Sequence, residues 1–218
     1  MRRIIGVVSQ KGGVGKSTVA RTLACTFASR NLSVKIADLD TSQSTSVEWN
    51  ARRLEKGVLP EISVEQFSSV SKALGQAGIY DLMIFDGAPH ATRATLEIAK
   101  NSHMVIIPSG TTLDDLLPTL KLIRELNNCG APLKKTYALL SRVGESMVEI
   151  QEARDWLLHA GIQIINGEIQ DKTGYKRALD DGYCLTETRY PSINQKASLI
   201  MNDIKKHFDN CLNTRDRE

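Results

Sequence analysis

The sequence predicts an α/β fold, a doubly wound and mostly parallel sheet with helices on both faces, and three observations carry that prediction. Short apolar runs rich in β-branched residues alternate along the whole chain with longer segments of helical period, the arrangement that buries a parallel sheet between two helix layers. Three of the apolar runs end in residues that carry chemistry, and such sheets bind ligands at the carboxyl ends of their strands. No composition shift, low-complexity linker or internal repeat divides the 218 residues. Residues 1–212 are therefore expected to form a single domain, with 213–218 a polar tail.

The first strand is expected over Ile4–Val8. The run Lys11-Gly12-Gly13-Val14-Gly15-Lys16-Ser17-Thr18 follows it and opens a helix predicted over Lys16–Arg30. Its glycines let backbone N–H groups converge on phosphate oxygens without a Cβ in the way, and the positive end of the helix points to the same place. Lys16 adds a point charge, and Ser17 offers a hydroxyl of the kind that ligates Mg²⁺ beside β- and γ-phosphates. The run from Gly12 to Thr18 thus reads as a nucleoside triphosphate cradle. It departs from the common form at Gln10, where a glycine is expected, and at Lys11, a second lysine. Lys11 is poorly placed to share a γ-phosphate with Lys16 of its own loop, whereas a short reach across a two-fold axis puts it on a partner's nucleotide.

A second strand, Val34–Ala37, ends in Asp38-Leu39-Asp40, two carboxylates on the same side of an extended chain. One suits Mg²⁺ or its water shell, and the other suits the water that attacks the γ-phosphate in line. A lone pair of this kind is more often a solvated strand end; its position one βα unit after a phosphate loop gives it the chemical reading. A helix over Thr45–Glu55, a strand over Ile62–Gln66 and a helix over Val70–Ala77 follow. The fourth strand, Leu82–Phe85, delivers Asp86 ahead of Gly87-Ala88-Pro89, so that a buried strand carries a carboxylate to the magnesium shell while the small residues after it can move with the γ-phosphate. Asp81, before that strand, reads as a cap or a surface charge.

The remaining elements are a helix over Ala94–Ala99, a strand over Met104–Ile107 closed by Pro108, and a helix over Leu113–Asn127. A strand over Thr136–Leu140, a helix over Val148–Ala160 and a strand over Ile162–Ile165 come next. Helices over Tyr175–Asp180 and Asn194–Leu212 complete the chain. Ile200, Ile204, Phe208 and Leu212 lie at helical spacing on the last, and core packing is the expected use of that face rather than an interfacial membrane anchor.

Composition excludes several classes. A hydrophobic share of 41% and a charged share of 24% are ordinary for a globular protein, and a net charge of +3 permits an anionic partner without requiring one. The four cysteines, Cys25, Cys129, Cys184 and Cys211, lack zinc-ligand spacing and suit a reducing cytoplasm. No apolar run is long enough to span a bilayer, and with the first strand so near residue 1 no cleavable signal is expected. No helix-turn-helix module is expected ahead of that strand. His90, His103, His159 and His207 are isolated and are assigned no catalytic role.

The phosphate run, the Asp38/Asp40 pair and Asp86-Gly87-Ala88-Pro89 together resemble the deviant-Walker P-loop ATPases of the MinD/ParA superfamily, specifically the short ParA/ParF-type plasmid partition proteins. The likeness extends to Trp49, to Val105-Ile106-Ile107-Pro108 with Leu113-Asp114, to Leu140-Ser141-Arg142 and to the segment Tyr175–Leu185. It implies ATP and Mg²⁺ as cofactors, Lys16 and the loop N–H groups on phosphates, Ser17 and Asp86 with Asp38 around Mg²⁺, Asp40 governing hydrolysis, and Lys11 acting in trans. Arg142 is a candidate base contact. In that family two subunits sandwich two ATP molecules, the dimer binds DNA without sequence preference, and a centromere-bound adaptor stimulates hydrolysis. The resemblance therefore implies a cytoplasmic, nucleoid-associated partition ATPase.

One departure affects the second motif. The family has Asp-x-Asp-Pro-Gln, whereas here Asp40 is followed by Thr41, Ser42 and Gln43 with one extra residue before Trp49, and Gln43 either places water or serves as a turn residue. For DNA, Lys172, Lys176, Arg177, Arg189 and Lys196 offer a phosphate-binding face, with Lys205 and Lys206 on the final helix. Asp171, Asp180, Asp181 and Glu187 among them leave a solvated mixed-charge surface as the competing reading, and the resemblance favours DNA. Alternative functions with the same engine are the positioning of other cargo, assistance to conjugative DNA transfer, and MinD-like regulation. An iron–sulfur carrier would need paired cluster cysteines, which are lacking. A small-molecule kinase or synthetase would need an acceptor pocket.

Overall fold

The computed structural model describes residues 3–89, 93–131 and 133–215. His90 and residues 216–218 of the expected tail lie outside them. The chain runs β1 (Ile4–Val7), α1 (Lys16–Ala28), β2 (Val34–Asp38), α2 (Thr45–Glu55), β3 (Ser63–Gln66), α3 (Val70–Gln76), β4 (Leu82–Asp86) and α4 (Arg93–Asn101). It continues through β5 (Met104–Ser109), α5 (Leu113–Asn128), β6 (Thr136–Val143), α6 (Met147–His159), β7 (Gln163–Gln170), α7 (Thr173–Asp180) and α8 (Pro191–Arg215).

The seven strands form one sheet in the order β3-β2-β4-β1-β5-β6-β7, and every pairing is parallel. Alternation along the strands sends side chains to two apolar layers. Ile5, Val7, Ile36, Ile84 and Ile106 pack with Val19, Leu23 and Phe27 of α1, Trp49 of α2 and Ile204 and Phe208 of α8. Ile4, Met83, Phe85, Val105 and Ile107 pack with Val70 of α3, Ile98 of α4, Leu122 of α5 and Leu157 of α6. This is the doubly wound architecture expected. Because β1 sits between β4 and β5, the chain leaves the sheet's centre in opposite directions on its two sides, and the crevice this opens lies over the loop after β1.

The largest differences from expectation are at the far edge. β6 and β7 run on to Val143 and Gln170, well past the predicted ends, and their register shifts between Ala138 and Leu140 and again between Ser141 and Val143. Asn166-Gly167 has the composition of a turn, but Gly167, at φ 86°, instead lets β7 bulge and continue. α8 starts at Pro191, a residue whose fixed φ suits a first helical turn, and extends to Arg215, beyond the expected end. Its apolar face is core: Ile200, Ile204 and Phe208 are buried, and Phe208 meets Phe27 edge-on with ring centroids 5.9 Å apart. Burying three such side chains contributes on the order of 5 kcal/mol, which withdrawal to a membrane surface would forfeit. No described helix is long and apolar enough to cross a membrane.

Candidate nucleotide site

The loop between β1 and α1 is shaped by two glycines in left-handed backbone, Gly13 at φ 75° and Gly15 at φ 99°. At Gly15 a Cβ would also come within 2.6 Å of Ser141 Oγ, so only glycine fits. Gly15 is the N-cap of α1, and no side chain caps that end, which leaves its first N–H groups for a ligand. Lys16 Nζ donates to the carbonyl of Lys11 at 3.1 Å. Burial lowers the Lys16 pKa, against the opposing charges of Asp86 and Asp40.

Beyond the loop lies a buried carboxylate network. Asp86, at the end of β4, is 1% exposed; its Oδ2 accepts from Ser46 Oγ at 2.7 Å, while its Oδ1 is buried with no hydrogen-bond partner among the described residues. Burial pushes its pKa up to about 6, with the Ser46 bond opposing and the Asp38 charge adding to the rise. A buried carboxylate oxygen left without a hydrogen-bond partner at the end of β4 fits a Mg²⁺ shell. Ser17 is available there too, its Oγ accepting from Thr45 Oγ1 at 3.2 Å.

Asp38 is committed differently. Its Oδ1 accepts from Asp40 N at 3.0 Å and its Oδ2 from Ser46 N at 3.1 Å, so both oxygens hold the turn that leads into α2. Asp40 stands at the mouth of that turn, its Oδ1 accepting from Ser42 N at 3.2 Å and Ser42 Oγ at 2.6 Å. The extra residue is absorbed at Ser44, which takes left-handed backbone at φ 48° and whose hydroxyl receives the Gln66 amide. Gln43 is exposed and lines the cavity beside Asp40 and Thr45.

Two residues of this network have no motif to announce them. Ser46 binds both carboxylates, and Arg21 Nε donates to Ser46 Oγ at 3.1 Å from a position only 7% exposed. The one available sign was an arginine on an otherwise apolar stretch of α1. The Arg21 guanidinium also lies 5.6 Å from the Trp49 ring centre. Trp49 Nε1 donates to Tyr183 O at 2.9 Å, and Arg53 reaches Gly182 O at 3.2 Å and both carboxylate oxygens of Glu187 at 2.7 and 2.9 Å. The helix after the Asp40 turn is thereby bolted to the loop that follows α7.

A cavity of about 480 Å³ spans the phosphate loop, Asp40, Gly87, Pro89 and Arg142 and closes against Gln170, Lys172, Tyr175 and Lys176, a size suited to a small-molecule ligand. Arg142, at φ 57°, donates from Nη1 to Gly13 O at 2.6 Å, so in this state it braces the phosphate loop. Lys11 Nζ lies 2.8 Å from Asp115 Oδ1 of α5 in the same chain.

The candidate DNA cations divide between two adjoining cavities and the exposed surface of α8. Lys172 and Lys176 line the nucleotide cavity and pair with Glu145 and Asp171. Arg177 and Arg189 line a separate groove with Asp180 and Asp181, Arg189 lying 5.1 Å from the centre of the Tyr190 ring. Lys196 is exposed on α8.

A parallel sheet with a glycine loop and lysine after its central strand, and a buried aspartate at the end of a neighbouring one, defines the class of P-loop nucleotide-binding proteins. The chain belongs to the CobQ/CobB/MinD/ParA nucleotide-binding domain family, CbiA, which it matches over residues 5–183. Its sheet, glycine loop and buried aspartate are those of a nucleotide-binding domain of that family. It is 27% identical over 190 residues to the maintenance of carboxysome distribution protein A of Gloeobacter kilaueensis, covering 86% of this chain and 85% of that one. It is 24% identical over 203 residues to the protein ParA of Rhizobium radiobacter, covering 90% of each. The cell division ATPase MinD of Pyrococcus furiosus superposes with a TM-score of 0.75 at 16% identity, over 94% of this chain and 99% of that one.

Proposed function

We propose that the chain is a DNA partition ATPase that pairs with a second copy on Mg-ATP, grips DNA without sequence preference, and lets go when a centromere-bound adaptor stimulates hydrolysis. The observation that carries the ATPase step is the buried, unpartnered Oδ1 of Asp86, a carboxylate with Ser17 beside it. Ser17 and Asp86 would hold Mg²⁺, which supplies charge neutralisation across the β- and γ-phosphates. Lys16 leaves the Lys11 carbonyl to bind phosphate oxygens, as do the N–H groups from Gly12 to Thr18. Asp38 holds the turn, and Asp40 orients the attacking water. Because Asp40 Oδ1 is engaged by Ser42, hydrolysis without a partner is slow. Lys11, from the partner, neutralises the γ-phosphate.

The DNA assignment is supported by the near full-length similarity to a ParA and by the exposed Arg177, Arg189 and Lys196. A titration of random-sequence DNA at several salt concentrations with ATP, ADP and no nucleotide tests it. Binding should require ATP, ignore sequence, and fall with salt at a log–log slope of about −0.9 per neutralised phosphate. Salt-insensitive or absent binding by the ATP form removes the partition reading and leaves the ATPase intact. Positioning of a protein cargo is the second reading, favoured by the similarity to a carboxysome distribution protein. It predicts that a cargo-bound protein, and no centromere-bound one, stimulates hydrolysis.

A further inference from the structure

The side chain of Lys11 turns to α5 of its own chain, Nζ lying 2.8 Å from Asp115 Oδ1. That carboxylate is fixed independently of the lysine. Its Oδ2 accepts from Thr112 Oγ1 at 2.8 Å, and it lies so close over Gly110 that a Cβ there would come within 2.3 Å of Oδ2. The acceptor is therefore in place before Lys11 reaches it. Although burial opposes it, Lys11 and Thr112 together hold the Asp115 carboxyl below the usual carboxylate range, so the group is charged at neutral pH.

We infer that Asp115 is a positioning residue for Lys11: by holding the ammonium in cis it competes with capture of Lys11 by a second copy's nucleotide, and so sets the protein concentration at which two copies pair. This rests on the assignment of Lys11 to a partner's γ-phosphate. The loop offers a route from nucleotide to latch. Lys16 Nζ donates to the Lys11 carbonyl at 3.1 Å, and Lys11 N donates to Ser9 Oγ at 3.2 Å. A phosphate that draws Lys16 away removes one restraint on the Lys11 backbone, leaving the Asp115 pair as the main hold on the side chain.

The strength of the pair makes it a threshold rather than a block. The Lys11 side chain is 38% exposed and that of Asp115 19%, and ion pairs this wet bias an equilibrium about twofold to fivefold. A symmetric dimer opens two of them, which compounds to about 4- to 25-fold in the dimerisation constant.

The test is sedimentation velocity across protein concentration, with Mg²⁺ and a saturating non-hydrolysable ATP analogue, on wild type, D115N, D115E and K11A/D115N. D115N should dimerise at about 4- to 25-fold lower concentration than wild type, with nucleotide affinity unchanged within about twofold. D115E keeps the acceptor and should stay near wild type, and K11A/D115N should lose the gain. A D115N midpoint that is unmoved, or shifted to higher concentration, overturns the inference, as does a loss of nucleotide affinity in D115N, which would make Asp115 a structural brace of the loop. Wild type that stays monomeric throughout removes the trans role of Lys11 and the latch together, whereas wild type that dimerises alongside an unmoved D115N removes the latch alone.

Discussion

Ser46 donates its hydroxyl hydrogen to Asp86 Oδ2 across 2.7 Å, while Oδ1 of the same carboxylate is buried with no partner among the described residues. One oxygen of the buried group is thus spoken for by the helix that follows the Asp40 turn, and the other has no partner among the described residues. The pKa of about 6 caused chiefly by burial means that this carboxyl group is half protonated in mildly acidic solution and charged at neutral pH.

The pH dependence follows from that sign. Folding raises the Asp86 pKa, so the folded state binds more protons between about pH 4 and about pH 6; the group's contribution to stability is full below its unfolded value and is lost as pH rises through about 6. Mg²⁺ needs the charged form, so the half-saturating Mg²⁺ concentration for nucleotide binding should rise about tenfold for each pH unit below 6. In D86N the requirement for Mg²⁺ should be high and flat with pH, as a fluorescent-nucleotide titration at pH 5 to 8 would show.

Replacing Lys16 by alanine removes a charge-assisted contact and should weaken ATP binding by about 10- to 100-fold. The folded state should be retained, because among the described residues Lys16 bonds only a backbone carbonyl of its own loop. Calorimetric titration of ATP together with a thermal melt separates the two.

In D40A the phosphate loop and the Asp86 network stay intact, so ATP should bind with near-normal affinity while turnover falls by about 10²- to 10⁴-fold. With hydrolysis gone the dimer should persist in ATP, and sedimentation with ATP against ADP reads that persistence directly.

The bolt between α2 and the loop after α7 should be costly to break. Arg53 is fully buried and bonds both oxygens of Glu187, so E187A strands its charge and should cost about 3–5 kcal/mol. That corresponds to a fall in Tm of roughly 6–20 °C for a domain of this size, measurable by calorimetry without nucleotide.

The parts of this site that were legible in the sequence are those that lie within one stretch of chain. Strand, glycines, Lys16 and Ser17 occur in the order the phosphate cradle needs, and Asp86 ends a run so apolar that its burial was implied. Contacts set by tertiary packing were not legible: Lys11 and Asp115 are 104 residues apart in sequence, and nothing near either names the other. Ser46 and Arg21 carry no motif because their role arises only where α1, α2, β2 and β4 converge. Lys172 and Lys176 looked like neighbours of Arg177 on one face, but the extension of β7 past Gly167 carries the chain back over the nucleotide cavity and turns those two lysines to it.

Trp49 is one of two tryptophans in the chain, and its indole is wedged at the junction of the Asp40 turn, the Arg21 guanidinium and the Tyr183 carbonyl. A fluorophore in that position, dry and flanked by two cations, reports changes in the local field. Its emission maximum offers a label-free readout of nucleotide occupancy in the unmodified protein, with Trp156 on α6 as the internal reference.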